Sequence, residues 1–446
     1  MESDIPDGPG GLPLVGNIVD LVRGQGDFYE AVAEEYGDVA RITLPGIGEM
    51  FLLSDPAAIE QVLLGESEQY TKAAFSQDQL GELLGDGLVL SKGDHWQRQR
   101  QMIQPAFYRE RIGEYADVMV RRTAELTDEW ESGGTYDIED EMKQLTLRIL
   151  ADAMFGTDID YDEWEIRETV RALQEPGKPR KQPLAYVVPK WVPIPMWRRY
   201  KAGIAHIEDL IAELIDRRQH SDAGREDLLS MLLTARGEDG TGMSDEQIRD
   251  ELITFLFAGH ETTATALTFT WYLLGKHPDV ERRLVAELDD VLGGDQPTMA
   301  DLPDLTYTED VIREAMRMYP PVPMIPRETT TNVELGGYQF PEGTVVVPAQ
   351  WTVHHDETYY EEPWAFRPER WTDGFSDDVP RFAYFPFGGG PRRCIGEQFA
   401  MIEAQLVLAT IAQQYSLDVE ASDSLDLSVS ITTRPMEDIR VTPHSR

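Results

Sequence analysis

The chain is expected to fold as a mainly α-helical protein with a small β part, and three observations predict this. Runs with helical periodicity dominate its 446 residues, whereas strand-like runs are few, short and near the two ends. One helical run, residues 245–276, is long enough to form a helix on the order of 45 Å in length, able to cross a whole domain. No repeat, low-complexity tract or linker divides the sequence, so residues 1–446 are expected to form a single domain.

Helical patterns run through 27–36, 95–131, 143–155, 203–219, 245–276, 278–292, 306–318 and 396–414. Ser244 followed by Gln247 predicts a capping-box start for the central helix. The "GKHP" at 275–278 predicts its end, because a proline cannot continue a helix without losing a hydrogen bond. Strand-like patterns are "DVARITL" (38–44), "EMFLLS" (49–54), "TVVVPAQ" (344–350) and "LSVSITT" (427–433).

Hydrophobic residues make up 41%, enough for a large core and too many for a disordered acidic polymer. The net charge is −41, with only 8 lysines against 32 arginines. Such a surface repels itself at low salt, and the repulsion fades at molar salt, where the screening length falls to roughly 3 Å. This predicts a cytoplasmic protein of a halophilic, salt-rich cell, and it argues against nucleic acid as a partner. The opening residues are acidic and rich in Pro and Gly, without the pattern of an export signal. Residues 252–274 are apolar and long enough to span a bilayer, which takes about 20 residues. With His260 and Glu261 at the centre, a buried core helix is the better reading.

The only cysteine, Cys394, lies in "FGGGPRRCIG" (387–396) and has no partner for an internal disulfide. The bland reading is a small buried hydrophobe. Against it, the glycines at 388–390 are expected to admit a flat, bulky group. Arg392, Arg393 and the start of a helix near Gly396 are expected to favour the thiolate. An open thiolate without a neighbouring histidine base suits a metal ligand better than a nucleophile. The central helix carries "AGHETT" (258–263), where a buried carboxylate is costly unless paired. Glu261 and Thr262 together read either as part of a braced core kink or as an acid and alcohol relaying protons into a dry site. Glu314 and Arg317 share a helix face, as do Trp96 and Arg100. Taken singly, those pairs read as a surface ion pair and a core tryptophan.

Taken in order, these stretches resemble the cytochrome P450 superfamily of haem-thiolate monooxygenases. The resemblance runs from "GPGGLPLVGN" (8–17) through "GDGLVLSKGDHWQRQR" (85–100), "AGHETT", "EAMR" and "FRPERW" (366–371) to the cysteine loop. It implies a long central helix over a haem b, iron protoporphyrin IX, with short β-sheets near the chain ends. Cys394 is then the axial iron ligand, its thiolate pushing electron density toward O–O cleavage. The resemblance also makes Phe387 a neighbour of the haem on the thiolate side. Glu314, Arg317 and Arg370 become a brace for the cysteine loop. Trp96, Arg100, Arg327 and Arg392 become propionate partners, with Lys72 a weaker one. Glu261 and Thr262 become the proton relay to bound dioxygen.

The same resemblance implies a monooxygenase that takes electrons from a separate protein such as a ferredoxin with its reductase. No dinucleotide fingerprint or flavin domain occurs in the chain. A peroxygenase or isomerase on the same fold, and a gas sensor without turnover, are the alternatives. Family position puts Phe75, Leu84, Phe257, Val322, Met324, Ile325 and Ile431 around an apolar substrate pocket, which favours a fatty acid, terpenoid or other lipid. Residues 176–201 have no acid where the chain average would put about five, and they interleave seven cations with Tyr186, Trp191 and Trp197. They read as a lid over the entrance or as a peripheral membrane contact.

Overall fold

The computed structural model describes residues 5–156, 169, 172–173, 188, 190–220, 227–237, 240–422 and 424–446. Its centre is the helix Asp245–Lys276, whose side chains are buried along nearly the whole of its 32 residues. Ser244 caps its start in the predicted capping box: the Gln247 amide donates to the Ser244 hydroxyl, and the Ser244 amide donates to the Gln247 side chain. Pro278 opens the next helix at once, ending the long one as expected. Among the described residues no helix is long and apolar enough to cross a membrane.

Helix Ile138–Phe155 packs along the central helix, and Glu397–Gln414 packs against Arg109–Asp128, Thr306–Met318 and the central helix. The run 95–131 does not form one helix. It divides into Gly93–Ile103, a tight turn Gln104–Phe107 and Arg109–Asp128. Pro105 supplies no amide donor there, and Tyr108 is extended. Two other helices start earlier than their apolar periodicity suggests. Asp137 caps one, accepting from the Glu139 amide, and Pro195 opens the other at a position that needs no donor.

The main sheet has five strands, in the order Val39–Leu44, Gly48–Leu53, Val345–Pro348, Arg327–Thr329, Tyr70–Lys72. It brings Met50 beside Val345, 295 residues away in sequence, and its far edge pairs Lys72 with Arg327. The stretch 427–433, expected as one strand, is the first half of a hairpin. Leu427–Val429 pairs antiparallel with Thr433–Pro435 around a tip at residues 430–432. Its tip sequence, Ser-Ile-Thr, has no glycine, proline, asparagine or aspartate to mark a turn.

Candidate active site

The cysteine loop is folded by its own backbone. The Gly388 amide donates to the Phe385 carbonyl (2.8 Å), the Arg393 amide to Gly390 (3.1 Å) and the Cys394 amide to Phe387 (2.9 Å). Gly388 and Gly390 have positive φ, +71° and +64°, which favours glycine. A Cβ on Gly389 would lie 2.4 Å from the Phe382 ring, and one on Gly390 would lie 1.8 Å from the Leu63 carbonyl oxygen. The expectation that these glycines make room for a flat group is therefore corrected for Gly389 and Gly390. They make room for the protein itself.

Cys394 is solvent-accessible, yet burial pushes its thiol above the ordinary range. Both hold if the sulfur faces a hollow inside the protein rather than its outer surface. The Gly396 amide, Arg100 and Arg393 pull the other way, and Glu397 adds to the rise. Arg392 is not among the groups acting on the thiol, contrary to expectation. It donates to the Ser91 carbonyl (2.9 Å) and stacks on Trp96, 4.3 Å from the ring centre. Burial thus favours the thiol, and a thiophilic metal ion would supply the positive charge that favours the thiolate.

Behind the loop lies a brace centred on the wholly buried Glu314 and Arg317. Arg317 Nε and Nη2 each reach Glu314 at 2.9 Å, Arg370 Nε reaches Glu314 at 3.1 Å, and Trp371 Nε1 donates to the same carboxylate at 3.1 Å. Arg317 also donates to the carbonyls of His354 (2.8 Å) and Pro363 (2.7 Å). The Phe385 amide then donates to His354 Nε2 (3.2 Å), and the Tyr360 hydroxyl donates to the Ala383 carbonyl (2.9 Å). The brace therefore reaches the segment entering the cysteine loop through His354 and Tyr360. Isolated histidines and tyrosines give no sequence signal for this role.

On the central helix, Ala258 is exposed and Gly259 and Thr262 are partly so, in a stretch, 250–274, that is otherwise buried. These positions share one face, so the helix is open along a short strip at its middle. The helix is continuous through this motif. The Thr262 hydroxyl donates to the Ala258 carbonyl (2.8 Å). Glu261 is buried and ion-paired with Arg434 of the C-terminal hairpin, a partner the sequence reading missed.

Four cations are gathered close to the loop. Burial depresses the basicity of Lys72, with further lowering from Arg327 and Arg392. Arg327 falls to about 10 through burial and Arg392, and Arg392 to about 10 through burial and Arg100. Arg100 is lowered by burial, while Cys394 acts in the opposite direction. The hydrogen bonds of the three arginines end on carbonyl oxygens: Arg100 on Arg393 (2.8 Å), Arg327 on Pro326 (3.0 Å) and Arg392 on Ser91 (2.9 Å). Lys72 thus stands with the stronger candidates. Its place was hidden because only the sheet brings it opposite Arg327.

Phe387 is partly buried beside the loop, and Leu84 and Phe257 are core residues. Phe75, Val322, Met324 and Ile325 are half-buried, and Ile431 is 46% exposed at the hairpin tip. Of the segment 176–201, residues 176–187 and 189, including Tyr186, lie outside the described residues. Trp191 is 79% exposed, but Trp197 is buried against Tyr200 and donates to the Val188 carbonyl (3.1 Å). Trp197 is therefore core and not part of a surface patch. Lys190 is tied to the carbonyls of Asp78 and Gln79.

The cytochrome P450 family model matches residues 6–437. The chain is 38% identical over 411 residues to a cyclooctat-9-en-7-ol 5-monooxygenase of Streptomyces melanosporofaciens, covering 92% of this chain and 88% of that one. It is 37% identical to the cyclooctatin synthase of the same organism, over 92% of this chain and 89% of the other. It is 33% identical to a pentalenene oxygenase of Streptomyces avermitilis, over 92% and 91%. A helical protein with small sheets, an accessible single cysteine at the start of a helix and a match along nearly its whole length, this chain belongs to the cytochrome P450 family and is an oxidoreductase of the monooxygenase type.

Proposed function

We propose that the whole chain forms one haem-thiolate monooxygenase unit whose haem b is bound through Cys394. It hydroxylates a terpenoid-like lipophilic substrate with electrons from a separate ferredoxin-type donor. The observation that carries this is the row Lys72, Arg327, Arg392 and Arg100 beside the only cysteine. Gathered cations whose bonds end on carbonyls call for an anionic group. The two carboxylates of a haem answer that need, and its iron answers the accessible sulfur. Trp96 fits beside them, holding Arg392 in place through its ring.

When bound, the haem supplies the activation of dioxygen. Cys394 would hold the metal, with Phe387 packed on the same side. Glu314, Arg317 and Arg370 keep the loop in register through His354 and Tyr360. Thr262 and Glu261 hold and pass protons at the open strip of the central helix. Phe75, Met324, Ile325 and Ile431 exclude water around an apolar substrate. The terpenoid assignment draws on the substrate names of the relatives. The acidic surface supports a cytoplasmic setting in a salt-rich cell, and the exposed Trp191 supports a peripheral membrane contact near the substrate entrance.

The test is spectral and catalytic. Reduced haem-loaded protein under carbon monoxide should show the red-shifted Soret band of thiolate ligation, and Cys394→His should keep haem while losing that band. Supplied with ferredoxin, reductase and NAD(P)H, the wild type should hydroxylate a member of a terpenoid panel in step with reductant use. A histidine-type spectrum sinks the ligand assignment. Turnover only with peroxide, or none at all, would favour the peroxygenase or sensor reading.

A further inference from the structure

Among the described residues three other than glycine have positive φ, and one of them, Leu14 at +71°, is also 99% exposed. Positive φ is costly for a bulky side chain, and turns normally give such positions to glycine or asparagine. Full exposure adds a second cost, because this leucine covers none of its own protein. Leu12 beside it is 54% exposed, and Pro13 is exposed as well. Strain and exposure at one side chain call for a role outside the folded chain.

The turn that presents Leu14 is firmly built. The Leu12 amide donates to the Gly16 carbonyl (2.9 Å) and the Gly16 amide to the Leu12 carbonyl (2.8 Å), which closes the turn at its base. The buried Asn17 fastens that base to the strand Val39–Leu44. Its amide donates to the Thr43 carbonyl (2.8 Å), its Oδ1 accepts from the Thr43 amide (2.9 Å), and its Nδ2 donates to the Pro9 carbonyl (3.3 Å). A Cβ on Gly16 would lie 2.2 Å from the Thr43 carbonyl oxygen, so the turn sits directly on the strand.

Charge is missing from both chain segments at this junction. Residues 8–19 and 42–48 contain no charged side chain, and at the chain-wide 27% these 12 and 7 residues would carry about five. Leu44, Pro45 and Ile47 of the second segment are half-buried. In a chain of net charge −41, such a pairing of uncharged, partly exposed apolar segments stands apart.

We infer that the turn at residues 12–16 is a lipid-inserting tip, with Leu14 entering the interfacial layer of a bilayer. A protein partner fits these observations less well. A stable protein interface buries on the order of 800 Å² per partner, with side chains packed across it. Leu14 packs against nothing and offers a single protruding group. A bilayer takes up isolated apolar side chains without a complementary surface. Anionic headgroups repel the acidic remainder of the protein, so apolar burial and not charge must carry the contact. The tip is remote in sequence from Trp191, and the inference stands without that contact.

Co-sedimentation of the full chain with phosphatidylcholine vesicles in molar salt tests this. Leu14→Gly should lower the partition coefficient about tenfold, the worth of one leucine side chain taken out of water. The same substitution removes the strain at positive φ, so the melting temperature should not fall. Leu14→Phe should keep the vesicle binding. On phosphatidylglycerol vesicles, wild-type binding should weaken as salt is lowered within the range where the fold is intact, because the acidic surface is screened less. Equal vesicle binding by wild type and Leu14→Gly overturns the tip. Binding to phosphatidylglycerol that strengthens as salt falls marks a contact carried by cations and overturns it as well. A clear loss of stability in Leu14→Gly gives Leu14 a structural role and has the same consequence. A wild type that sediments as a dimer without lipid, with Leu14→Gly a monomer, assigns the turn to a second copy of the chain and overturns the lipid reading. Loss of binding in Trp191→Ser with none in Leu14→Gly keeps the Trp191 contact and removes this one.

Discussion

Lys72 and Arg327 face one another directly across the antiparallel pairing of Tyr70–Lys72 with Arg327–Thr329, two cations as cross-strand partners. Like charges in that position oppose strand pairing, and here burial deepens the conflict. The sign follows from the depressed basicities. The folded chain holds its protons here less tightly than the unfolded chain does, so at neutral pH the cluster works against folding until an anion joins it. Lys72→Met should therefore raise the melting temperature of the haem-free protein, by on the order of 1 kcal/mol in stability, while speeding haem loss from the loaded protein. Melts of the apoprotein and transfer of haem to an acceptor globin measure the two effects. Effects of the same sign in both would sink the anion-site assignment.

The Glu314–Arg317 pair is wholly buried and should behave as a unit. Arg317→Met leaves a buried carboxylate with Arg370, Trp371 and the Arg367 amide as its remaining partners, and should cost about 3–5 kcal/mol in urea unfolding. The Glu314→Gln, Arg317→Met double variant should lose less than the sum of the two single losses. Additive losses would mean that the two side chains act independently.

A buried acid on the central helix gives a pH dependence. Glu251 is fully buried, accepts from the Leu88 amide (3.0 Å), and burial raises it to about 8. In the unfolded chain it ionises near 4.5, so between those values the folded state holds one more proton. Stability therefore falls as pH rises through that window. Glu251→Gln keeps an acceptor for Leu88 and removes the titration. It should match the wild type near pH 4.5 and exceed it by on the order of 3 kcal/mol at pH 8. Denaturant titrations at both pH values check this, and a variant no more stable at pH 8 than the wild type would count against it.

Salt should act on the whole surface. Dilution from molar salt to about 0.1 M lengthens screening to roughly 10 Å, so the net charge of −41 repels itself and the melting temperature should fall. A melting temperature that stays flat across this range would remove the halophilic reading and leave the haem site untouched.

Trp191 and Trp197 should separate cleanly. Trp191→Ser should leave stability nearly unchanged and weaken co-sedimentation with anionic vesicles in molar salt. Trp197→Ser opens the core beside Tyr200 and should cost about 3 kcal/mol or more. Equal, negligible vesicle binding by wild type and Trp191→Ser would leave the loop as a lid alone.

Much of this protein was legible in the chain itself. The helix Asp245–Lys276, its capping box and its proline stop are local facts, because caps and breakers act on the residues beside them. The single cysteine among glycines and the acid–alcohol pair stood out for the same reason: each is a cluster within a few residues. What tertiary structure alone decided is every role that joins distant segments. The face of Glu314 and Arg317 turned inward because three other segments supply its partners. Gly389 and Gly390 answer to Phe382 and Leu63 rather than to a ligand, a collision no local pattern contains. Lys72 meets Arg327 only through the sheet, and Glu261 meets Arg434 only through the hairpin, 173 residues downstream. Electrostatic energy depends on distance and burial, and neither is written in the spacing of residues along the chain.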